Sequence, residues 1–187
     1  EIVYPPGAPG IAAHFKSRLG INGRMRDAAS LHQGIDIKGP NGQALLAVAD
    51  GTVVEALAED CWGPTILIDH GIGPDNERIL ALYGHVGEML VEAGSAVRRG
   101  QLIAKLGDNQ NRYKCMLNVR HLHFQLGRIY QTDKSGRWGS EYFLVDGNRG
   151  LNPHLYWADG VGKVTCFNPG RIYPAGYHTY PLPCDRR

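Results

Sequence analysis

Four residues in two short segments have the types and spacing of a metal site. His32 and Asp36 lie four residues apart, and His121 and His123 lie two apart. Side chains alternate between the two faces of a strand, so each pair would share one face. On a helix, residues two apart point about 200° apart, so the second pair could form one site only on a strand. The segments therefore predict two strands whose polar faces carry three imidazoles and one carboxylate.

Two histidines and one carboxylate, with a fourth position open, form the ligand set of a catalytic zinc ion. Structural zinc sites are closed and rich in cysteine, and no cysteine lies near either segment, so the pattern favours catalysis. Gly34, on the same predicted face as His32 and Asp36, would leave space for a bound group. Each pair alone is a weak signal, because a lone strand histidine is usually a surface or core group. The hypothesis depends on the two pairs together.

The opposite faces of the two predicted strands, 31–37 and 120–126, are apolar and indicate a core. They carry Leu31, Ile35, Ile37, Leu122, Phe124 and Leu126. Other runs rich in branched and aromatic residues occupy 66–68 and 79–83, and glycines separate them. No stretch of ten or more residues keeps a helical period between caps, so few helices are expected. The sequence predicts an all-β fold of antiparallel sheets.

Composition narrows the class of protein. The 187 residues are 43% hydrophobic, which is enough for a core, and 20 Lys+Arg oppose 18 Asp+Glu. That balance excludes a broad basic surface and makes nucleic acid a poor partner. The 25 glycines are roughly twice the usual share of about 7%, which indicates many tight turns. No apolar run approaches the ~18–20 residues of a membrane span, no signal peptide is recognised at the start, and a monomer is expected.

The sequence predicts an N-terminal arm (1–30), a catalytic domain (31–150) and a C-terminal tail (151–187) that packs on the same domain. Four cysteines, none in a C-x-x-C pair, allow three disulfide pairings. Cys61–Cys115 with Cys166–Cys184 is favoured, because the second pair closes a compact loop in a turn-rich tail. Four buried free thiols are the alternative. The even count favours an oxidising compartment, either the periplasm or the cell exterior.

Two phrases, 46–54 and 97–104, resemble the turn-and-strand phrases of the biotinyl/lipoyl-carrier β-sandwich. A carrier presents a modifiable lysine on a hairpin tip. No such lysine follows Asp50-Gly51, so the carrier interpretation is disfavoured.

Residues 31–126 resemble the M23 (lysostaphin/LytM-type) family of zinc metallopeptidases, which cut peptide bonds in bacterial peptidoglycan. The matching phrases follow one another in family order at 32–36, 47–54, 66–71, 82–86, 94–101 and 121–124. The resemblance implies a LytM-like (duplicated-hybrid-motif-like) groove between antiparallel sheets, one zinc ion per chain, and stem peptides or cross-bridges of peptidoglycan as the substrate. The segment 109–120 departs from the small-residue turn that the family usually has there, so the resemblance does not extend to substrate preference.

By position, the resemblance assigns His32, Asp36 and His123 to zinc and His121 and His85 to catalysis. His121 is favoured as the general base and His85 as the group that stabilises the oxyanion, with the reverse assignment left open. The alternative function is a non-catalytic LytM-like module that binds and activates a cell-wall amidase. Such modules typically lack one or more zinc ligands, whereas this sequence has all three.

The remaining histidines receive structural interpretations. His70 is expected to fix a strand end, and His14, His154 and His178 receive no role. Tyr83 alternates with Ala81 and His85 and is therefore predicted to face the cleft, in a packing role. Packing is also favoured over sugar stacking for the aromatic residues of the tail, which are Tyr156, Trp157, Phe167, Tyr173, Tyr177 and Tyr180.

Overall fold

The computed structural model describes residues 1–130 and 150–184. Within these ranges the regular structure is β-sheet with two 3₁₀-helices, Lys114–Met116 and Pro153–Leu155, and no α-helix. The strands are β1 Ile35–Lys38, β2 Ala44–Leu46, β3 Gly51–Glu59, β4 Gly63–Ile72, β5 Arg78–Gly84, β6 Glu88–Met89, β7 Ala96–Val97, β8 Leu102–Lys105 and β9 His121–Gly127. The all-β prediction is confirmed. No helix of the described ranges has the length and apolar character needed to cross a bilayer.

Two antiparallel sheets form the domain. The larger has the strand order β1-β9-β5-β4-β3-β7, and the smaller has the order β2-β8-β6. In the larger sheet, β9 lies between β1 and β5, with Tyr83 paired to Phe124 and Gly84 paired to His123. Neighbouring pairs face opposite sides, so Phe124 points into the core while His123 points away from it. Strand β9 therefore separates the core from the polar face.

The main core lies on the face that carries Tyr83 and Phe124. It combines both sheets with the tail, which contributes the fully buried Trp157, Tyr180 and Leu182. Tyr156 is also buried, whereas Phe167 and Tyr173 are only partly buried and stack on each other with ring centroids 6.2 Å apart. The packing interpretation is thus confirmed for three of the tail aromatics.

Both predicted disulfides are present. Cys61 is bonded to Cys115 and Cys166 to Cys184, and no cysteine is free. The first disulfide joins the turn after β3 to the 3₁₀-helix before β9, while the second closes the tail. In the chain-entropy model, loops of these sizes contribute roughly 3–4.7 kcal/mol each to stability.

Two local predictions were wrong. The first strand begins at Ile35 rather than Leu31, because the backbone of His32 pairs with the arm and not with β9. The His32 N–H donates to the Ser17 carbonyl, and the His32 carbonyl accepts from the Lys16 N–H. Tyr83 faces the core, not the cleft, and is fully buried. The prediction assumed that Tyr83 and His85 lie on the same face of one strand. This fails because β5 ends at Gly84 and His85 has a left-handed backbone, with φ of 63°.

Candidate active site

The backbone brings His32, Asp36 and His123 together at the edge of the large sheet. Asp36 in β1 lies directly opposite His123 in β9. His32 reaches them from the segment before β1, and all three side chains are buried. On its other side, the backbone of Asp36 pairs with Ala13 of the arm. Two neighbouring strands and the arm therefore fix the positions of these three residues.

One atom from each side chain converges on a common point. His32 Nε2 lies 3.2 Å from His123 Nδ1 and 3.2 Å from Asp36 Oδ1, and His123 Nδ1 lies 2.9 Å from Asp36 Oδ1. Ligands about 2.0–2.1 Å from a tetrahedral zinc ion are about 3.3 Å from one another. In the described part of the chain this is the one group of three such side chains with that arrangement. The triangle therefore fits a tetrahedral metal with its fourth position open.

The hydrogen-bond chemistry of His32 also fits a cation. Its Nδ1 lies 2.9 Å from the carbonyl oxygen of His14, while its Nε2 faces the carboxylate of Asp36. A neutral imidazole has one N–H and cannot donate to both oxygens. His123 repeats the pattern, since its Nε2 lies 3.0 Å from Gln125 Oε1 and its Nδ1 faces Asp36. A metal ion bound by Asp36, His32 Nε2 and His123 Nδ1 would replace the protons between these groups. Each imidazole would then keep one N–H, which donates to the His14 carbonyl or to Gln125 Oε1.

The acceptors behind the two histidines determine which ring nitrogen is available. When Nδ1–H of His32 donates to the His14 carbonyl, Nε2 of His32 keeps its lone pair. When Nε2–H of His123 donates to Gln125 Oε1, Nδ1 of His123 keeps its lone pair. Such partners orient metal-binding imidazoles and raise their basicity. Burial raises the pKa of Asp36, but hydrogen bonds from His123 and His32 outweigh it and hold that pKa well below its usual range. The site therefore presents an ionised carboxylate with two oriented imidazoles.

His121 and His85 lie beside this triangle and not in it. His121 shares the polar face of β9, with its Nε2 3.8 Å from Asp36 Oδ1, and His85 packs against it with ring centroids 4.9 Å apart. Each Nδ1 faces a backbone carbonyl, that of Val119 for His121 at 2.7 Å and that of Trp62 for His85 at 2.9 Å. Both residues therefore keep Nε2 as a hydrogen-bond acceptor.

Burial keeps both of these imidazoles neutral. It is the main cause that lowers the pKa of His85 to about 3, and the charges of His121 and His123 lower it further. Burial also lowers the pKa of His121, against the opposing effect of Asp36. A neutral His85 whose Nδ1–H is already used has no donor left for an oxyanion. The oxyanion role would require a protonated His85, which its surroundings disfavour.

The Cys61–Cys115 disulfide links the two segments that orient these histidines. Cys61 precedes Trp62, whose carbonyl binds His85, and Cys115 begins the segment that leads to Val119 and His121. The turn is fixed further by the buried carboxylate of Glu59, which accepts the backbone N–H groups of Cys61 at 2.9 Å and Trp62 at 2.6 Å. The disulfide therefore supports the cleft as well as the fold.

The five histidine and aspartate side chains line a cleft of about 520 Å³. Trp62 forms part of its wall and stacks on His85, with ring centroids 4.5 Å apart, and Leu117 from the unusual 109–120 segment lines it as well. The expectation about Gly34 was wrong: a Cβ there would lie 2.3 Å from the Phe124 carbonyl oxygen, so glycine permits close approach to β9 and leaves no space for a ligand.

Sequence reasoning missed several contributors to the cleft. Gln125 lies on the same predicted face as the two β9 histidines, and this alternation was the available signal for its role. The turn residue Trp62, the arm residue Arg26 and the carbonyl of His14 gave no such signal. His70, His154 and His178 do not line the cleft.

Comparison with known proteins identifies the family. A family model, Peptidase family M23, matches residues 30–136, which is more than half of the chain. The chain belongs to peptidase family M23. The matched region includes all five predicted site residues, and the family resemblance seen in the sequence is confirmed.

Two curated relatives illustrate the similarity. The chain is 38% identical over 108 residues to the lipoprotein NlpD/LppB homolog of Pseudomonas aeruginosa, a match that covers 57% of this chain and 32% of that protein. It is 38% identical over 96 residues to the murein hydrolase activator NlpD of Escherichia coli K12, covering 51% of this chain and 22% of that protein. The match thus spans about a third or less of these relatives' lengths.

Solved structures with a similar fold include peptidases. The catalytic domain of the antimicrobial peptidase lysostaphin from Staphylococcus simulans is 24% identical, with a TM-score of 0.49 and coverage of 75% of this chain and 85% of that one. A zinc-containing peptidase from Vibrio cholerae is 28% identical, with a TM-score of 0.48 and coverage of 63% and 32%.

Proposed function

We propose that this M23 domain is a zinc-dependent endopeptidase that hydrolyses peptide bonds in the cross-links of bacterial peptidoglycan. The observation that carries the proposal is the triangle of His32 Nε2, Asp36 Oδ1 and His123 Nδ1, with edges of 2.9–3.2 Å. The neutral acceptors of His121 and His85 beside it supply what hydrolysis needs besides a metal. The function therefore rests on five residues in one cleft.

His32, Asp36 and His123 would hold the metal. Zinc bound there supplies Lewis acidity, which polarises the scissile carbonyl and acidifies a water molecule. His121 Nε2 accepts the proton of the attacking water and returns it to the leaving amine. Asp36, 3.8 Å away, stabilises the protonated form of His121. His85, which is harder to protonate, orients the water through its Nε2 lone pair.

A two-part experiment tests this function. Metal analysis of the purified protein should find one zinc ion per chain, and digestion of whole murein should release cross-link fragments that mass spectrometry identifies. His123→Ala should lose both the zinc and the activity. His14→Ala is the matched control, because the carbonyl that contacts His32 belongs to the His14 backbone and is kept in this variant. Full zinc occupancy in His123→Ala would contradict the ligand assignment.

The second candidate function is activation of a cell-wall amidase. It is favoured by the name of the Escherichia coli relative, a murein hydrolase activator that is 38% identical over 96 residues. An activator would release no fragments alone but would accelerate murein digestion by an added amidase, and His121→Ala would leave that acceleration unchanged. An endopeptidase would show activity without the amidase.

The periplasm or the cell exterior is the proposed location. Two disulfides are typical of oxidising compartments, and relatives of the chain are named lipoproteins. The proposed partner is peptidoglycan, and the chain is proposed to act as a monomer. Non-reducing gel electrophoresis of cell fractions tests the location, and light scattering tests the oligomeric state.

A further inference from the structure

Among the described residues, three cationic side chains line the cleft and the pocket next to it. Arg26 lines the cleft, whereas Arg24 and Lys114 line a neighbouring polar pocket of about 490 Å³. Leu117 lines both cavities, so they adjoin at this residue. We call Arg24, Arg26 and Lys114 the cation wall. It runs from the metal-binding triangle towards the 109–120 segment that departs from the family pattern.

No protein carboxylate neutralises the cation wall within residues 1–130 and 150–184. Other arginines there do form ion pairs, namely Arg78, Arg120, Arg128 and Arg171. Asp36 is the single acidic side chain among the described residues that line the two cavities, and it already faces His32 and His123. The positive charge along the cleft is therefore available to a ligand.

Arg26 is built into the wall of the cleft. Its backbone N–H donates to the Arg18 carbonyl at 2.6 Å, and the Arg18 guanidinium donates to the Arg26 carbonyl at 3.1 and 3.2 Å. The Arg26 side chain takes no part in these bonds. It is half-buried, and its Nε is shielded from solvent with no acceptor among the described residues. A shielded donor of this kind costs free energy unless a ligand supplies the acceptor.

We propose that the cation wall is a subsite for carboxylates of the peptide substrate. This inference rests on the proposed function, since it assumes that the peptide binds in the cleft. Arg26 would bind the carboxylate nearest the scissile bond, through the paired N–H···O bonds that guanidinium and carboxylate form. Arg24 and Lys114 would attract a second carboxylate further along the peptide. The substrate is then an acidic stem-peptide cross-link and not a glycine bridge, whose residues have no side-chain charge.

Binding of two synthetic peptides tests the subsite. The peptides are identical except that one carries a carboxylate, and the other a carboxamide, on the residue beside the scissile bond. Calorimetry with zinc-loaded His121→Ala measures binding without the need for turnover. The acidic peptide should bind about 10–100-fold more tightly, and added salt should reduce the difference. Arg26→Gln in the same background should abolish the preference.

Arg98→Gln is the matched control, because Arg98 is exposed, lines neither cavity and forms no ion pair in the described part of the chain. It should keep the preference. If Arg26→Gln proves unstable, Arg24→Gln with Lys114→Gln, both at exposed positions, tests the second carboxylate with a peptide pair that differs in charge only at that residue. Equal binding of the two peptides would overturn the subsite even if both were cleaved by the unsubstituted protein. If the protein binds the acidic peptide more tightly but the unsubstituted enzyme cleaves neither peptide, the endopeptidase function is overturned and the subsite stands.

Discussion

The described part of the chain has two clusters of buried histidines, and only one of these has the features of a metal site. The cleft cluster comprises His32, Asp36, His85, His121 and His123. The core cluster comprises His70, His178 and Tyr83, on the opposite face of the large sheet. In the core cluster, the Tyr83 hydroxyl accepts the Val48 N–H and donates to His70 Nε2, while His70 Nδ1 donates to the Asp50 carbonyl.

The difference lies in the position of a carboxylate. Asp36 lies within 3.8 Å of ring nitrogens of His32, His121 and His123, and it gives the cleft cluster the negative charge that a metal ion needs. Among the described residues no carboxylate comes as close to His70 or His178: Asp69 acts on His70 from a longer distance, and the cation Arg99 acts on both. His70 and His178 therefore stay neutral and serve packing. Buried histidines alone do not make a metal site.

The largest effect is expected from the two histidines beside the triangle. His121→Ala should keep the zinc yet lower kcat by 10²–10⁴-fold, about 3–5 kcal/mol of barrier, because general acid–base groups contribute that much. His85→Ala should also keep the zinc and should lower kcat, because it removes the acceptor that orients the water. Metal analysis and murein-digestion rates measure the two quantities. A zinc-loaded His121→Ala protein with the unsubstituted rate would remove the proposed mechanism. A core-cluster substitution such as His178→Phe should leave kcat unchanged.

The core cluster should instead affect stability against acid. Burial lowers the pKa of His70 to about 4, so between about pH 6.5 and pH 4 the unfolded chain binds more protons than the folded one. The free energy of unfolding therefore falls as the pH drops through this window, by about 3 kcal/mol for His70 alone. Urea unfolding of the zinc-loaded protein at pH 7.5 and 4.5 measures the drop. In His70→Gln it should be smaller, and an unchanged drop would contradict the argument.

A smaller effect, on zinc affinity, is expected from Gln125, which lies behind the cleft cluster. Gln125→Leu removes the acceptor 3.0 Å from His123 Nε2 while the volume stays similar. Loss of such a partner typically lowers metal affinity 10–100-fold. Competition with a zinc chelator measures the affinity, and the fold should remain intact because Leu tolerates full burial. Gln101→Leu, at an exposed position that does not line the cleft, is the control. Equal affinities in the two variants would show that Gln125 does not orient His123.

The smallest effect concerns His178. Both of its ring nitrogens are buried, and neither has a hydrogen-bond partner among the described residues. Its ring packs against Tyr156 and His70, with centroids 5.8 and 5.7 Å away. His178→Phe keeps a ring in that space and removes the two unsatisfied groups, so we expect about 1 kcal/mol of added stability at pH 7. Thermal unfolding tests this, and a lower Tm would mean that the ring nitrogens are satisfied.

Much of the site was predictable from local patterns. The two-residue spacing of His121 and His123 requires a strand to form one site, and β9 is that strand. The apolar alternation of Leu122 and Phe124 gave its core face, and the cysteine spacing favoured the pairing that both disulfides adopt. These features depend on neighbours in the sequence or on simple counting, which is why the sequence alone determined them.

Other features were decided only by the tertiary structure. The arm binds the backbone of His32, so the first strand starts four residues late, and a left-handed backbone at His85 ends the alternation that misplaced Tyr83. The acceptors that choose the available ring nitrogens come from distant segments, such as the carbonyls of His14 and Trp62. Which segments meet depends on packing across the whole chain, and hydrogen bonds between residues far apart in sequence leave no local pattern to detect.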